Sequence, residues 1–158
     1  MKKNKVLKVI GLFLLSVLVI VIAYVIYVFA AYSRIADNMV LNPDVTNEVS
    51  YENIKTGETY TAVSYNIGFG AYTSDYSFFM DGGKSSWAES PDRLDTNLCD
   101  IGSAIASLNP DIVLLQEVDT NGTRTYHVNE YEYLRDYIGE GSYIFAQNYH
   151  SSFLMYPF

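Results

Sequence analysis

Cysteine is nearly absent: Cys99 stands alone among 158 residues, which excludes an intramolecular disulfide. Small domains outside the cytoplasm often depend on disulfides, so a hydrophobic core has to hold this fold, with Cys99 expected half-buried on a helix. Charge is missing altogether from Val9 to Tyr32, where Ser16 and a few tyrosines are the polar exceptions. Basic residues are scarce as well. Beyond Tyr32 the chain keeps six of its ten lysines and arginines but all 18 acidic residues, a formal charge of −12. Affinity for nucleic acid comes mainly from basic groups meeting phosphates, so a DNA-binding surface is disfavoured unless bound cations intervene. No internal repeat or low-complexity tract is present. Fifteen tyrosines suit wet, half-buried positions with a polar tip to satisfy, but their number names no ligand.

The charge-free run covers about 24 residues, or roughly 36 Å of helix, enough to cross a hydrocarbon core of about 30 Å with some tilt. Only a helix pairs every backbone group within such a segment. Lys2, Lys3, Lys5 and Lys8 precede it and Tyr24, Tyr27 and Tyr32 crowd its far end. By the positive-inside rule and the interfacial preference of aromatic rings, the first end is expected in the cytoplasm and the rest of the chain outside it. A cleaved signal peptide is the alternative, since Phe29-Ala30-Ala31 offers small residues, although the usual apolar region of such a peptide is only about 7–15 residues. The expected organisation is a cytoplasmic tail over 1–8, a transmembrane helix over 9–32, a linker over 33–58 and one domain over 59–158.

Within that domain Tyr60, Ala62, Val63, Tyr65 and Ile67 read as a strand of β-formers closed by Gly68 and Gly70. A long aromatic segment follows, about Ala71 to Ser90, and loops of this length are often functional. Its Asp81-Gly82-Gly83-Lys84-Ser85 invites a phosphate-loop reading, but the first glycine of that motif would fall at Phe78, so a turn is expected. Ser90 as cap, Pro91 in the first helical position and Asp92 beside it start a helix. Leu94, Leu98, Ile101, Ile105 and Leu108 give it one apolar stripe, and Asn109-Pro110 ends it. Ile112-Val113-Leu114-Leu115 is a continuous apolar run, the pattern of a strand covered on both faces. Strand, helix and strand in this order predict a parallel pair. A turn around Asn121-Gly122, a short helix over Val128–Ile138 with Tyr131, Leu134 and Ile138 inward, and a strand over Tyr143–Ala146 complete the reading.

Two polar residues close the strands, Asn66 on the first and Glu117 on the second. Ligands of parallel sheets gather beyond the C-terminal strand ends, and a carboxylate among oxygen donors suits a hard cation such as Mg²⁺, which keeps waters and takes phosphate oxygens. A buried Glu117 left unpaired would be costly, and a cation would remove that cost.

Ser64-Tyr65-Asn66-Ile67-Gly68-Phe69-Gly70, followed by Asn109-Pro110-Asp111-Ile112-Val113-Leu114-Leu115-Gln116-Glu117-Val118 with a capped helix between, resembles the endonuclease/exonuclease/phosphatase superfamily. The resemblance spans about Thr59 to Phe158 and is carried by the two motifs in order. It implies an α/β protein, here part of a four-layer α/β sandwich behind one transmembrane helix, and divalent-metal-dependent cleavage of phosphate esters. It also implies that Glu117 ligates Mg²⁺ or Mn²⁺, that Asn66 lies in the metal and phosphate site as a ligand and catalytic residue, and that Gln116 supports them. Arg124, a few residues beyond Glu117, is a candidate phosphate contact; the alternative is a solvated loop residue.

The chain departs from the family pattern downstream. That pattern continues with a catalytic histidine, an Asp-x-Asn pair on a later strand and a terminal Ser-Asp-His. Here only His127 and His150 follow Glu117, without those partners; Asp119-Thr120-Asn121 falls in the expected turn, and no Ser-Asp-His occurs. The expectation is therefore the N-terminal part of a membrane-anchored phosphoesterase, inactive alone, with exposed apolar surface and a sheet edge that promote aggregation. Phospholipid or small phosphoesters outside the cytoplasm are favoured over nucleic acid as substrates. The alternative is a non-catalytic anchored module that uses the same scaffold for binding.

Overall fold

The computed structural model describes residues 2–46 and 54–151. Part of the expected linker (47–53) and the Tyr156-Pro157-Phe158 end lie outside them. The protein is mixed α/β, with three α-helices and two small sheets among the described residues, and divides into two units, one holding the N-terminal helix up to Met39 and the other running from Val40 to Ala146.

Beyond Lys8, helix α1 (Lys2–Ala31) is apolar on every side; an 18-residue window within Lys5–Ala31 has a mean hydropathy of 3.1, and none of that window is buried by the protein itself. It is long and apolar enough to cross a membrane, and a signal sequence near an N-terminus has the same character. Ser16 hides its hydroxyl by donating to the Leu12 carbonyl one turn back, 2.9 Å.

In the second unit, β2 (Ala62–Asn66) and β3 (Ile112–Gln116) form the expected parallel pair, in register from Ala62↔Ile112 to Asn66↔Gln116, on either side of helix α2 (Pro91–Ser107). The pair is clamped at its start, where Asp111 accepts the Thr61 N–H through its carboxylate (2.7 Å) and returns its own N–H to the Thr61 carbonyl (2.9 Å). The start of α2 follows the sequence reading: Ser90 Oγ accepts the Arg93 N–H, 3.1 Å, and Pro91 occupies the first turn. Leu94, Leu98 and Ile105 are buried and Ile101 is half-buried. Leu108 is exposed instead, because the helix ends at Ser107 and the stripe turns into solvent.

Helix α3 (Glu130–Ile138) packs on α2 at Gly102, where a side chain would run into the Tyr137 ring. Tyr137 Oη meets Ser103 Oγ at 2.6 Å and Cys99 Sγ at 3.6 Å, so the cysteine is half-buried on a helix as expected. Gly139, at φ +105°, ends α3 in a conformation that favours glycine.

Two expectations are corrected. The final strand is not Tyr143–Ala146 but β4 (Gly141–Tyr143), paired antiparallel with β1 (Asp44–Thr46) inside the stretch read as linker. Arg135 on α3 reinforces that pairing through Asp44, 2.8 Å. No local period announces a three-residue strand whose partner lies so far along the chain. Strand β3 is also not covered on both faces: Ile112 and Leu114 are 38% and 56% exposed, while Val113 and Leu115 alternate with them half-buried. Its sheet has only two strands among the described residues, and one face has no layer upon it.

The core lies beyond the strand ends. Ile67, Phe69, Ala71, Ala88, Leu94, Leu98 and Leu134 form one buried cluster, with Leu115 and Val118 packed against it. Around it, half-buried tyrosines donate to backbone carbonyls: Tyr76 to Trp87 and Tyr126 to Ala88, both at 2.8 Å. The glycine-rich segment is the turn expected of it. The N–H groups of Gly82, Gly83, Lys84 and Ser85 all donate to carbonyls of Ser77, Phe78 or Phe79, so they make no phosphate cradle.

Candidate functional site at the parallel strand ends

Parallel pairing in register carries Asn66 and Glu117 to the same end of the sheet. The chain continues the pairing past the strands, with Ile67 N–H donating to the Gln116 carbonyl and Phe69 N–H to the Glu117 carbonyl, both at 3.0 Å. Glu117 itself takes the left-handed conformation, φ +55°. A non-glycine residue there costs on the order of 1 kcal/mol or more and is most often held so by its surroundings. The result is a side-chain contact across 51 residues: Asn66 Nδ2 donates to Glu117 Oε1, 3.0 Å.

The Asn66 amide is fully oriented. Its Oδ1 accepts the Gly68 N–H at 2.9 Å, so its NH₂ is the end that faces the carboxylate. Asn66 therefore holds Glu117 rather than offering its own oxygen to a cation. Both residues are solvent-exposed, and the carboxylate keeps room for one more partner. A single oriented carboxylate in contact with water fits a cation such as Mg²⁺, which dehydrates reluctantly and needs only one or two carboxylates from the protein. It does not fit a fully protein-caged ion, and no group of three or more His, Cys, Asp or Glu with metal-holding geometry occurs among the described residues.

Gln116 lies elsewhere. Its Nε2 donates back along the strand to the Leu114 carbonyl (3.2 Å) and to Ser64 Oγ (3.4 Å), on the uncovered face of the sheet. What Gln116 gives the site is its main-chain carbonyl, which anchors Ile67.

Arg124 is half-buried and not free. Its Nε and Nη2 donate to the two Asp119 carboxylate oxygens at 2.8 and 2.9 Å, and its guanidinium sits 3.9 Å over the Phe69 ring. Burial works against its charge, but the Asp119 hydrogen bond and the carboxylates of Asp119, Glu117 and Glu130 outweigh it and strengthen the guanidinium's hold on its proton. Arg124 therefore acts electrostatically on Glu117 while Asp119 holds two of its guanidinium nitrogens. His127 is exposed and rests on Asn121 at 2.9 Å; His150 is exposed too. Among the described residues no contact joins His127 to Asn66 or Glu117.

Two residues beneath the site are not evident from the sequence. Asp119 orients Arg124, and Glu130 is fully buried under the same turn. An acidic residue in a first helical turn ordinarily reads as a solvated partner of the helix dipole, so nothing local marks Glu130 for burial. No family model, curated protein or solved structure matches the chain.

Proposed function

We propose that this chain carries a membrane-anchored, divalent-metal-dependent phosphoesterase fold of the endonuclease/exonuclease/phosphatase type, its domain outside the cytoplasm and its sheet belonging to a four-layer α/β sandwich. The single observation that carries the reading is the Asn66–Glu117 hydrogen bond at the C-terminal ends of two parallel strands. The two motifs lead one to expect Asn66 and Glu117 at one site, and their contact supports the reading, with Asn66 orienting Glu117 rather than serving as a ligand itself.

In this reading Glu117 holds Mg²⁺ or Mn²⁺ and Asn66 fixes the carboxylate's direction. The cation, when bound, polarises a phosphoryl oxygen and offsets charge growing in the transition state. Asn66 and Gly68 form the rim that keeps Glu117 from rotating away, and Arg124 supplies a fixed positive charge behind it. In this reading the charge-free helix holds the domain at a membrane surface, and phospholipid headgroups or small phosphoesters are its substrates. A second reading, a non-catalytic anchored binding module, is favoured by the uncovered apolar face carrying Ile112 and Leu114.

Mn²⁺ binding to the detergent-solubilised chain, followed by electron paramagnetic resonance, tests the first reading. Glu117→Gln should weaken binding at least about tenfold, the scale on which metal sites lose affinity when their immediate surroundings are altered. Unchanged affinity sinks the metal assignment.

A further inference from the structure

Glu130 is a group for which the metal-site reading has no use, yet it touches both segments that build the site. Its Oε2 accepts the Asp119 N–H at 2.7 Å, and its own N–H donates to the Asp119 carbonyl at 2.9 Å. These reciprocal bonds fasten the first turn of α3 to the chain two residues beyond Glu117. Its Oε1 is buried without a hydrogen-bond partner. That oxygen shares the space over Gly70, four residues beyond Asn66, with Leu94 Cδ1 and Leu98 Cδ2; a Cβ at Gly70 would stand 3.2 Å from it and closer still to Leu94. Gly70 has φ +60° and gives its carbonyl to Asn97 Nδ2, 2.8 Å.

We propose that Glu130 is a positioning residue for the Glu117–Asn66 pair, an uncharged buried acid on which the two site segments are seated. What it positions rests on the metal-site reading above; that it seats these segments does not. An apolar side chain of the same size would leave the Asp119 N–H without its acceptor, and an ionised carboxylate would place a charge beside Leu94 and Leu98 with one oxygen unpaired. Either is expensive away from water. The protonated acid keeps Oε2 as the Asp119 acceptor and removes the charge, leaving a neutral hydroxyl at Oε1, which is less expensive to bury unpaired than a carboxylate oxygen.

The surrounding charges agree with a neutral acid. Asp119 and Arg124 are the charged groups that act on Glu130; toward α2 it shares its space with Leu94 and Leu98. Burial pushes its carboxyl up to about 8; the Asp119 charge adds to this, while the Asp119 N–H and Arg124 pull the other way. The folded protein therefore binds this proton more tightly than the unfolded chain does. Stability linked to Glu130 is fully present below the ordinary carboxylate range, declines as pH rises toward about 8, and changes no further above it. As the acid ionises, the seat under Asp119 loosens, and the carboxylate of Glu117 with it.

The experiment follows the amide signals of Glu117, Asp119 and Gly70 by NMR in detergent micelles from about pH 6.5 to 9, with Mn²⁺ affinity measured over the same range. Wild type should show a shared midpoint near pH 8 and an alkaline loss of Mn²⁺ affinity of about five- to tenfold, in proportion to the ionised fraction. Glu130→Gln keeps an acceptor for Asp119 and never ionises. It should abolish the midpoint and restore the alkaline affinity, whereas Glu130→Ala should shift the Glu117 signals at every pH. A Glu117 signal with no midpoint near 8, or the same midpoint in Glu130→Gln, overturns the proposal. A wild type that binds no Mn²⁺ at any pH, but whose Glu117 midpoint vanishes in Glu130→Gln, overturns the metal reading while supporting the positioning role.

Discussion

Strand β2 and the segment that follows it could hardly differ more in their surroundings. From Ala62 to Asn66 no residue is buried; from Ile67 to Ala71 every residue is. The same contrast separates the open body of β3 from the cluster that Leu115 and Val118 join at its end. The strands of a parallel sheet are ordinarily the most buried part of a fold. Here the ordered centre is the end that carries Asn66 and Glu117, built from α2, α3 and the loops between. The outward face, with Ile112 and Leu114, is left to water among the described residues. A candidate site can thus be rigid while the sheet that supports it is half-clothed.

Substitutions on the two sides of that divide should differ sharply. Phe69, fully buried beneath the Arg124 guanidinium, should lose about 3–5 kcal/mol on truncation to alanine, read as a lower urea midpoint. The lone tryptophan, Trp87, whose ring lies 5.8 Å from that of Tyr126, is a fluorescent reporter for this region. Ser90→Ala removes the acceptor of the Arg93 N–H and should cost about 1 kcal/mol in the same titration. Leu114→Thr, on the uncovered face, should stay within about ±0.5 kcal/mol and reduce self-association in sedimentation. If Leu114→Thr instead destabilised the protein as much as Phe69→Ala does, the face would have to be covered in solution and the contrast would collapse.

Legibility in the sequence follows the same division between local and distant causes. The start of α2 was readable because Ser90, Pro91 and the leucine spacing act within a few residues of one another. Asn66 and Glu117 were readable as strand ends because each interrupts an apolar or β-forming run. The pairing of Asp44–Thr46 with Gly141–Tyr143 was not, since the Arg135–Asp44 bridge that supports it joins residues 91 apart. Nor was the exposure of Leu114: an apolar run does not tell how many layers will cover it. Arg124 looked like a loop residue until the fold brought Asp119 and the Phe69 ring around it.

The sequence by itself determined the helix of membrane-spanning length, because an apolar segment must satisfy its backbone internally whatever else the chain does. It also determined the order of strand, helix and strand, and the two polar residues at the strand ends. Only the tertiary structure decided that Asn66 turns its NH₂ toward Glu117, that Arg124 is held by Asp119, and that Glu130 is seated out of water. Hydrogen-bond direction and the charge state of a carboxyl depend on which groups surround it, and those neighbours come from separate parts of the chain.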